Sequence, residues 1–134
     1  MSSETLAIID MGTNTFHLMI VEIDEKDDFR IREKYKEPVK LGENGINAGK
    51  IGSKAYARGI RALKKFRKLI DSKHVSQIKA FATSAISGAS NGEQFVRDAK
   101  KDAGIDVRII NGNEEAALIY EGVRNGVQVP VDQD

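Results

Sequence analysis

The sequence predicts an α/β fold, a mixed five-stranded sheet with flanking helices in the order β-β-β-α-β-α-β-α. Three observations carry that expectation. Two strongly apolar runs, LAIIDM and TFHLMIVEI, are separated by a few polar residues, as in an antiparallel pair. From residue 53 the apolar spacing lengthens to three and four, the helical period. Beyond residue 74, short apolar runs alternate with helical stretches, the pattern of strands joined by crossover helices.

Residues 5 to 11 are expected to form the first strand and 15 to 24 the second. EKDD at 25–28 is a polar turn, and FRIREKYKEPVK at 29–40 alternates as a third strand that breaks or ends near Pro38. LGENGINAGKIG at 41–52 carries four glycines and is expected to be a loop. A helix follows, with Ser53 as its N-cap and Tyr56, Ile60, Leu63, Phe66 and Ile70 on its apolar face. VSQIKAFAT (75–83) is the fourth strand, and residues 91–104 form a helix closed by Gly104. DVRII (106–110) is the fifth strand and residues 113–126 a last helix. Val127, Val129 and Val131 then alternate, as if a further strand were beginning where the sequence stops.

Composition narrows the chemistry. The chain has 134 residues, 40% of them hydrophobic and 31% charged, which fits one globular domain. A formal net charge of +1 and sparse aromatics point away from nucleic acid as a partner. The absence of cysteine removes disulfides, thiolate metal sites and cysteine nucleophiles. The N-terminus lacks the pattern of a secretory signal, and no apolar stretch reaches the roughly 18 residues of a membrane span. A cytoplasmic location without membrane association is the expectation.

Four features carry possible chemistry. In IIDMGTNTFH, Asp10 ends an apolar strand and a small polar loop follows. Gly12 is suited to positive φ, so the turn could gather backbone N–H groups into an anion-binding nest. Thr13, Asn14 and Thr15 add donors, and Asp10 offers a hard oxygen suited to Mg²⁺. A hairpin whose Asp and Asn merely close the turn explains the same residues equally well. In IINGNEEAALIYEGV, Asn111 and Glu114 have capping-box spacing, which leaves Glu115 on the apolar side of the helix as a candidate general base. Two acids favouring the positive end of a helix are the plainer account. ATSAIS (82–87) ends a strand in small polar residues, where open α/β sheets bind ligands or simply connect to a helix. Finally, Lys54, Arg58, Arg61, Lys65 and Lys68 form a basic stripe. Residues 54–79 hold nine Lys and Arg against one acid, Asp71, a surface for a polyanion or an ordinary solvated helix face.

In order and spacing, IIDMGTNTFHLMIVEI, LGENGI with YARGIRALKKFRKLI, AFATSAI with NGEQF, and IINGNEEAALIYEGV resemble the exopolyphosphatase and guanosine pentaphosphate phosphohydrolase family, Ppx/GppA. The resemblance implies an actin-like, ribonuclease-H-like fold with a cleft between two such domains. Residues 1–126 would be the first domain and 127–134 the start of the link to a second, absent here. It implies removal of terminal phosphate from inorganic polyphosphate or from guanosine pentaphosphate, with guanosine tetraphosphate among the possible ligands, Mg²⁺ as cofactor and a homodimer as the full-length assembly. By position, Asp10 corresponds to the metal-side aspartate, and Gly12, Thr13, Asn14 and Thr15 to the first phosphate loop. Glu115 corresponds to the glutamate that positions water, and His17 stands where members carry Arg or His near the phosphates. Two departures are visible. Ser87 stands where the family has a phosphate-directed Arg, and Asn111 replaces a Ser. The lost charge at Ser87 opens an alternative, a non-catalytic sensor of polyphosphate or alarmone; an ATP-dependent kinase of the same superfold is a further one. A chain with half the cleft is expected to turn over little substrate.

Overall fold

The computed structural model describes residues 4–26, 28–42, 49–82, 86 and 88–109. The last helix with Glu114 and Glu115, the polar strand end at Thr83 and Ser84, and Ser87, Asn111 and the valines at 127–131 lie outside the described residues.

The strands are β1 (Glu4–Met11), β2 (Thr15–Ile23), β3 (Phe29–Pro38), β4 (Gln77–Ala82) and β5 (Val107–Ile109), with helices α1 (Ser53–Asp71) and α2 (Gly92–Ala103). They form one sheet in the order β3-β2-β1-β4-β5. Two short connections make β1, β2 and β3 an antiparallel meander. β4 lies parallel to β1, and β5 parallel to β4, as connections through helices require. The sheet is therefore mixed, with β3 at one edge. A register shift between Ile20 and Val21 interrupts the β2–β3 ladder. The extra residue bends the strand locally, and both Ile20 and Val21 are buried.

Alternation along the strands decides which side chains meet the helices. Ala7, Ile9 and Met11 of β1 join Phe16, Leu18 and Ile20 of β2 and Ala80 and Ala82 of β4 in one core cluster. Leu63, Phe66 and Ile70 of α1 and Phe95, Ala99 and Ala103 of α2 close the same cluster. Both helices therefore cover one sheet face. Asp10 and His17, one residue out of step with that set, lie on the other.

At the centre of the helical layer, Phe95 is wholly buried, with its ring edge-on to Phe16 (centroids 6.4 Å apart) and to Tyr56 (5.1 Å). Tyr56 also donates a short hydrogen bond from its hydroxyl to Asp98 of α2. Burial, with that bond next, pushes its phenol well above the usual range. The Asn91 side chain ties the start of α2 to the segment before α1: its Oδ1 accepts from the Ile51 N–H at 2.8 Å and its Nδ2 donates to the Ile51 carbonyl at 3.0 Å.

The helix termini correct one expectation and meet another. Ser53 is the first helical residue, not the cap. Gly52 occupies the cap position in an extended conformation (φ −64°, ψ 154°) with no side-chain cap bond. Gly104 closes α2 in the left-handed region (φ 68°), and its N–H donates to the Lys100 carbonyl at 3.0 Å.

Candidate functional site

The β1–β2 connection is the tightest turn beside Asp10, and its construction is unusual. Met11 and Phe16 are register partners, and the Gly12 N–H donates to the Thr15 carbonyl at 3.1 Å. Thr13 and Asn14 therefore span the gap alone. Hairpins of this length normally use primed turns with positive φ. Here none of Gly12, Thr13 and Asn14 is among the positive-φ residues. The expectation that Gly12 turns the chain through the left-handed region is thus incorrect.

What holds the open turn comes from elsewhere. The Asn14 carbonyl accepts the N–H groups of Val39 (2.8 Å) and Lys40 (2.9 Å), and the Thr13 carbonyl accepts the Leu41 N–H (2.8 Å). To make these bonds the chain bends sharply after β3, with Lys40 at φ 53°, while Val39 and Leu41 are buried on either side of it. Arg58 of α1 fixes the bend from beyond: its Nε donates to the Val39 carbonyl at 2.8 Å and its Nη2 reaches the Lys40 carbonyl at 3.4 Å. Both carbonyls of the turn are thus consumed by the protein. The N–H groups and side chains of Thr13 and Asn14 make no hydrogen bond among the described residues, and Asn14 is exposed. A turn with acceptors spent and donors available suits an anion.

Asp10 lies opposite His17 on β1 and β2, and His17 lies opposite Lys36 on β3. Directly paired residues share a face, so the three form one row across the sheet, with neighbouring strands about 4.8 Å apart. Asp10 and His17 are both half-buried. The row brings two sequence candidates together and adds Lys36, which the sequence reading missed. Only the strand register reveals it, because nothing in REKYKEP marks one lysine over another. The Val39–Leu41 clamp was missed as well. Its signal was faint: two apolar residues flanking a lysine just after a strand-ending proline.

Among the described residues no group of three or more His, Asp or Glu is placed to hold a metal. Asp10 is the carboxylate at the turn. One carboxylate together with substrate phosphates is the usual donor set for Mg²⁺, so the residues fit that ion in company with a phosphate chain and not by themselves. No helix among the described residues is long and apolar enough to cross a membrane.

A meander followed by parallel strands, with an acid and a polar turn at the β1–β2 end, defines a domain of the actin-like, ribonuclease-H-like class. At the level of fold alone, the Holliday-junction protein RuvC of Thermus thermophilus, bound to its junction substrate, is similar with a TM-score of 0.51 at 14% identity, over 96% of this chain and 84% of that one. The profile of the Ppx/GppA phosphatase family matches residues 19–132, and the chain belongs to that family. An exopolyphosphatase from Cytophaga hutchinsonii is 40% identical, with a TM-score of 0.83, over 90% of this chain and 38% of that one. A Ppx/GppA family member from Aquifex aeolicus is 28% identical, with a TM-score of 0.88, over 96% of this chain and 42% of that one. The chain thus spans about two-fifths of the length of these relatives. The profile match begins past the turn, at residue 19, so Asp10 to His17 stand on the structural likeness and on their own geometry.

Proposed function

We propose that this chain is the first phosphate-gripping half of a hydrolase that removes the terminal phosphate of a phosphoanhydride, inorganic polyphosphate before guanosine pentaphosphate. The observation that carries the reading is the turn at Thr13 and Asn14, whose carbonyls are bound by residues 39–41 while the donors of those two residues stay available beside Asp10. The N–H groups and side chains of Thr13 and Asn14 and the hydroxyl of Thr15 hold the terminal phosphates; Gly12, whose own N–H is spent on the Thr15 carbonyl, shapes the turn instead, and His17 is a further contact from the next strand. Mg²⁺, held through Asp10, would neutralise charge on the phosphate chain. Glu115 accepts a proton from water and orients it in line with the breaking bond, in a reaction governed by positioning and charge stabilisation. Kinship with an exopolyphosphatase at 40% identity supports polyphosphate as the substrate class.

In this reading residues 1–126 form one wall of a cleft and 127–134 lead to a second domain that supplies the other, with the full-length protein working as a cytoplasmic homodimer. The 134-residue chain by itself grips phosphate from one side and turns over little. The test is phosphate release from polyphosphate by the two-domain protein. Glu115→Gln should lower the rate by about 10²–10⁴-fold. Unchanged release in that variant would remove Glu115 from the mechanism. Polyphosphate binding without release even in the intact protein would favour the sensor reading that Ser87 suggests.

A further inference from the structure

Residues 10–17, DMGTNTFH, offer donors for an anion but include no lysine or arginine. A fixed positive charge at the turn must therefore come from another segment. Among the described residues, Arg58, Lys36 and Lys40 flank it. Arg58 spends its guanidinium on the Val39 and Lys40 carbonyls. Lys36 lies beyond His17, two strands from Asp10. Lys40 is bonded to the turn itself, its N–H donating to the Asn14 carbonyl at 2.9 Å. One N–Cα bond of about 1.46 Å then keeps its Cα within about 4.4 Å of that oxygen.

The backbone at Lys40 is unusual for its residue type. Its φ of 53° lies in the left-handed region, which glycine takes freely and a Cβ resists. One other described non-glycine residue, His74, shares that region, and it sits just past the end of α1, where the conformation is common. Lys40 has no helix end to close. Its conformation is fixed on every side: Val39 and Leu41 are buried in the core cluster, Asn14 holds its N–H, and Arg58 reaches its carbonyl at 3.4 Å. None of these main-chain bonds requires a lysine, and glycine would make them with less strain. The lysine side chain is exposed and makes no hydrogen bond or ion pair among the described residues. Strain kept without a structural return points to function. Because both neighbours are turned into the core, the ammonium lies outside it, at the end of the sheet where the Thr13 and Asn14 donors are available.

We propose that Lys40 is the fixed cation of the Thr13–Asn14 turn: its ammonium pairs with the phosphate that the two N–H groups hold, a flexible point charge on an immobile main chain. The inference rests on the phosphate-turn reading for its ligand, and its test separates the two. Isothermal titration of tripolyphosphate into the 134-residue chain measures binding without turnover, and thermal unfolding verifies that each variant is folded. Lys40→Gln keeps the N–H and the strained backbone and removes the charge. Its binding should weaken about 10–100-fold with an unchanged melting temperature. Lys40→Gly should bind as weakly as Lys40→Gln while melting no lower than the wild type, which separates the charge from any structural role. Lys40→Arg should retain binding, because it restores the charge on the same backbone. Wild-type affinity in Lys40→Gln, or a loss in Lys40→Arg equal to that in Lys40→Gln, would overturn the proposal. Binding that survives Lys40→Gln but not Thr13→Ala/Asn14→Ala would remove Lys40 and leave the turn reading standing, whereas no binding by the wild type would remove both. Binding that depends on Lys40 while Glu115→Gln leaves phosphate release intact in the two-domain protein would uphold Lys40 and overturn the catalytic assignment alone.

Discussion

Gly59→Ala is expected to destabilise the protein, although helix propensity predicts the reverse. A Cβ at residue 59 would lie 2.8 Å from Phe95 Cζ, 2.9 Å from Cε2 and 3.5 Å from Val39 Cγ1. Carbon atoms rest about 3.5–4.0 Å apart, so the ring would have to withdraw by roughly 0.7 Å. It has little room to do so, being fully buried and held edge-on by Phe16 and Tyr56. Replacing Gly by Ala in a helix interior gains about 1 kcal/mol. Overpacking a filled core costs about 1–3 kcal/mol, and a ring held on two sides costs about 2 kcal/mol of that range. The net is a loss of about 1 kcal/mol, or a melting temperature lower by about 4 °C for a domain of this size. Thermal unfolding of the wild type, Gly59→Ala, Phe95→Leu and the double variant measures it. Removing the ring should relieve the clash, so the two changes should couple by about 1 kcal/mol. A rise in melting temperature for Gly59→Ala, or additivity in the cycle, would refute the steric argument.

Lys40→Gly should raise stability by about 0.5–1 kcal/mol, because Lys40 sits at φ 53° and glycine takes that conformation without the Cβ penalty while keeping the N–H that Asn14 accepts; a lower melting temperature would show that the lysine side chain has a role of its own. Tyr56→Phe should cost about 1 kcal/mol at neutral pH by removing the bond to Asp98. The phenol's folded-state pKa is raised, so its contribution is complete below the ordinary value of 10.0 and is lost as pH climbs through the higher folded value. Urea denaturation at alkaline pH should therefore show a decline in the wild type that is reduced in the variant. Asn91→Ala should cost about 2 kcal/mol in the same assay, since both polar groups of Ile51 lose their partner at a half-buried position; a change within 0.5 kcal/mol, roughly the scatter of ordinary surface substitutions, would mean that water replaces the latch.

The strands and the two described helices were legible because each has a local signature: period-two runs bounded by polar turns, and an apolar stripe at helical spacing. Their ends fall within a residue or two of expectation, as with 15–24 against Thr15–Ile23 and 75–83 against Gln77–Ala82. The lateral order was less accessible. Short connections oblige β1, β2 and β3 to be neighbours, but the place of β4 beside β1 depends on how α1 packs across the sheet. The register shift at Ile20/Val21 left no mark, since the residues of β3 alternate straight through it. Ser53 had the right chemistry for a cap and the wrong position, because the extended conformation at Gly52 starts the helix one residue earlier.

The candidate site divides along the same line. Asp10 was visible because an acid closing an apolar strand is locally incongruous, and His17 follows from it once the strands are paired. The form of the turn was not visible, because the turn does not determine it. DMGTNT lacks the positive-φ geometry that closes a two-residue hairpin by itself. Its shape is imposed by main-chain donors of residues 39–41, which Arg58 fixes in turn. Arg58 is positioned by α1, and the seating of α1 against α2 depends on the close approach of Gly59 to Phe95. A short polar motif of this kind is therefore weak evidence in isolation and strong evidence when the clamping segment is present at its proper distance. Moved to a hairpin lacking the 39–41 segment, the same six residues would keep their donors and lose the constraint that keeps the carbonyls turned away from a bound phosphate.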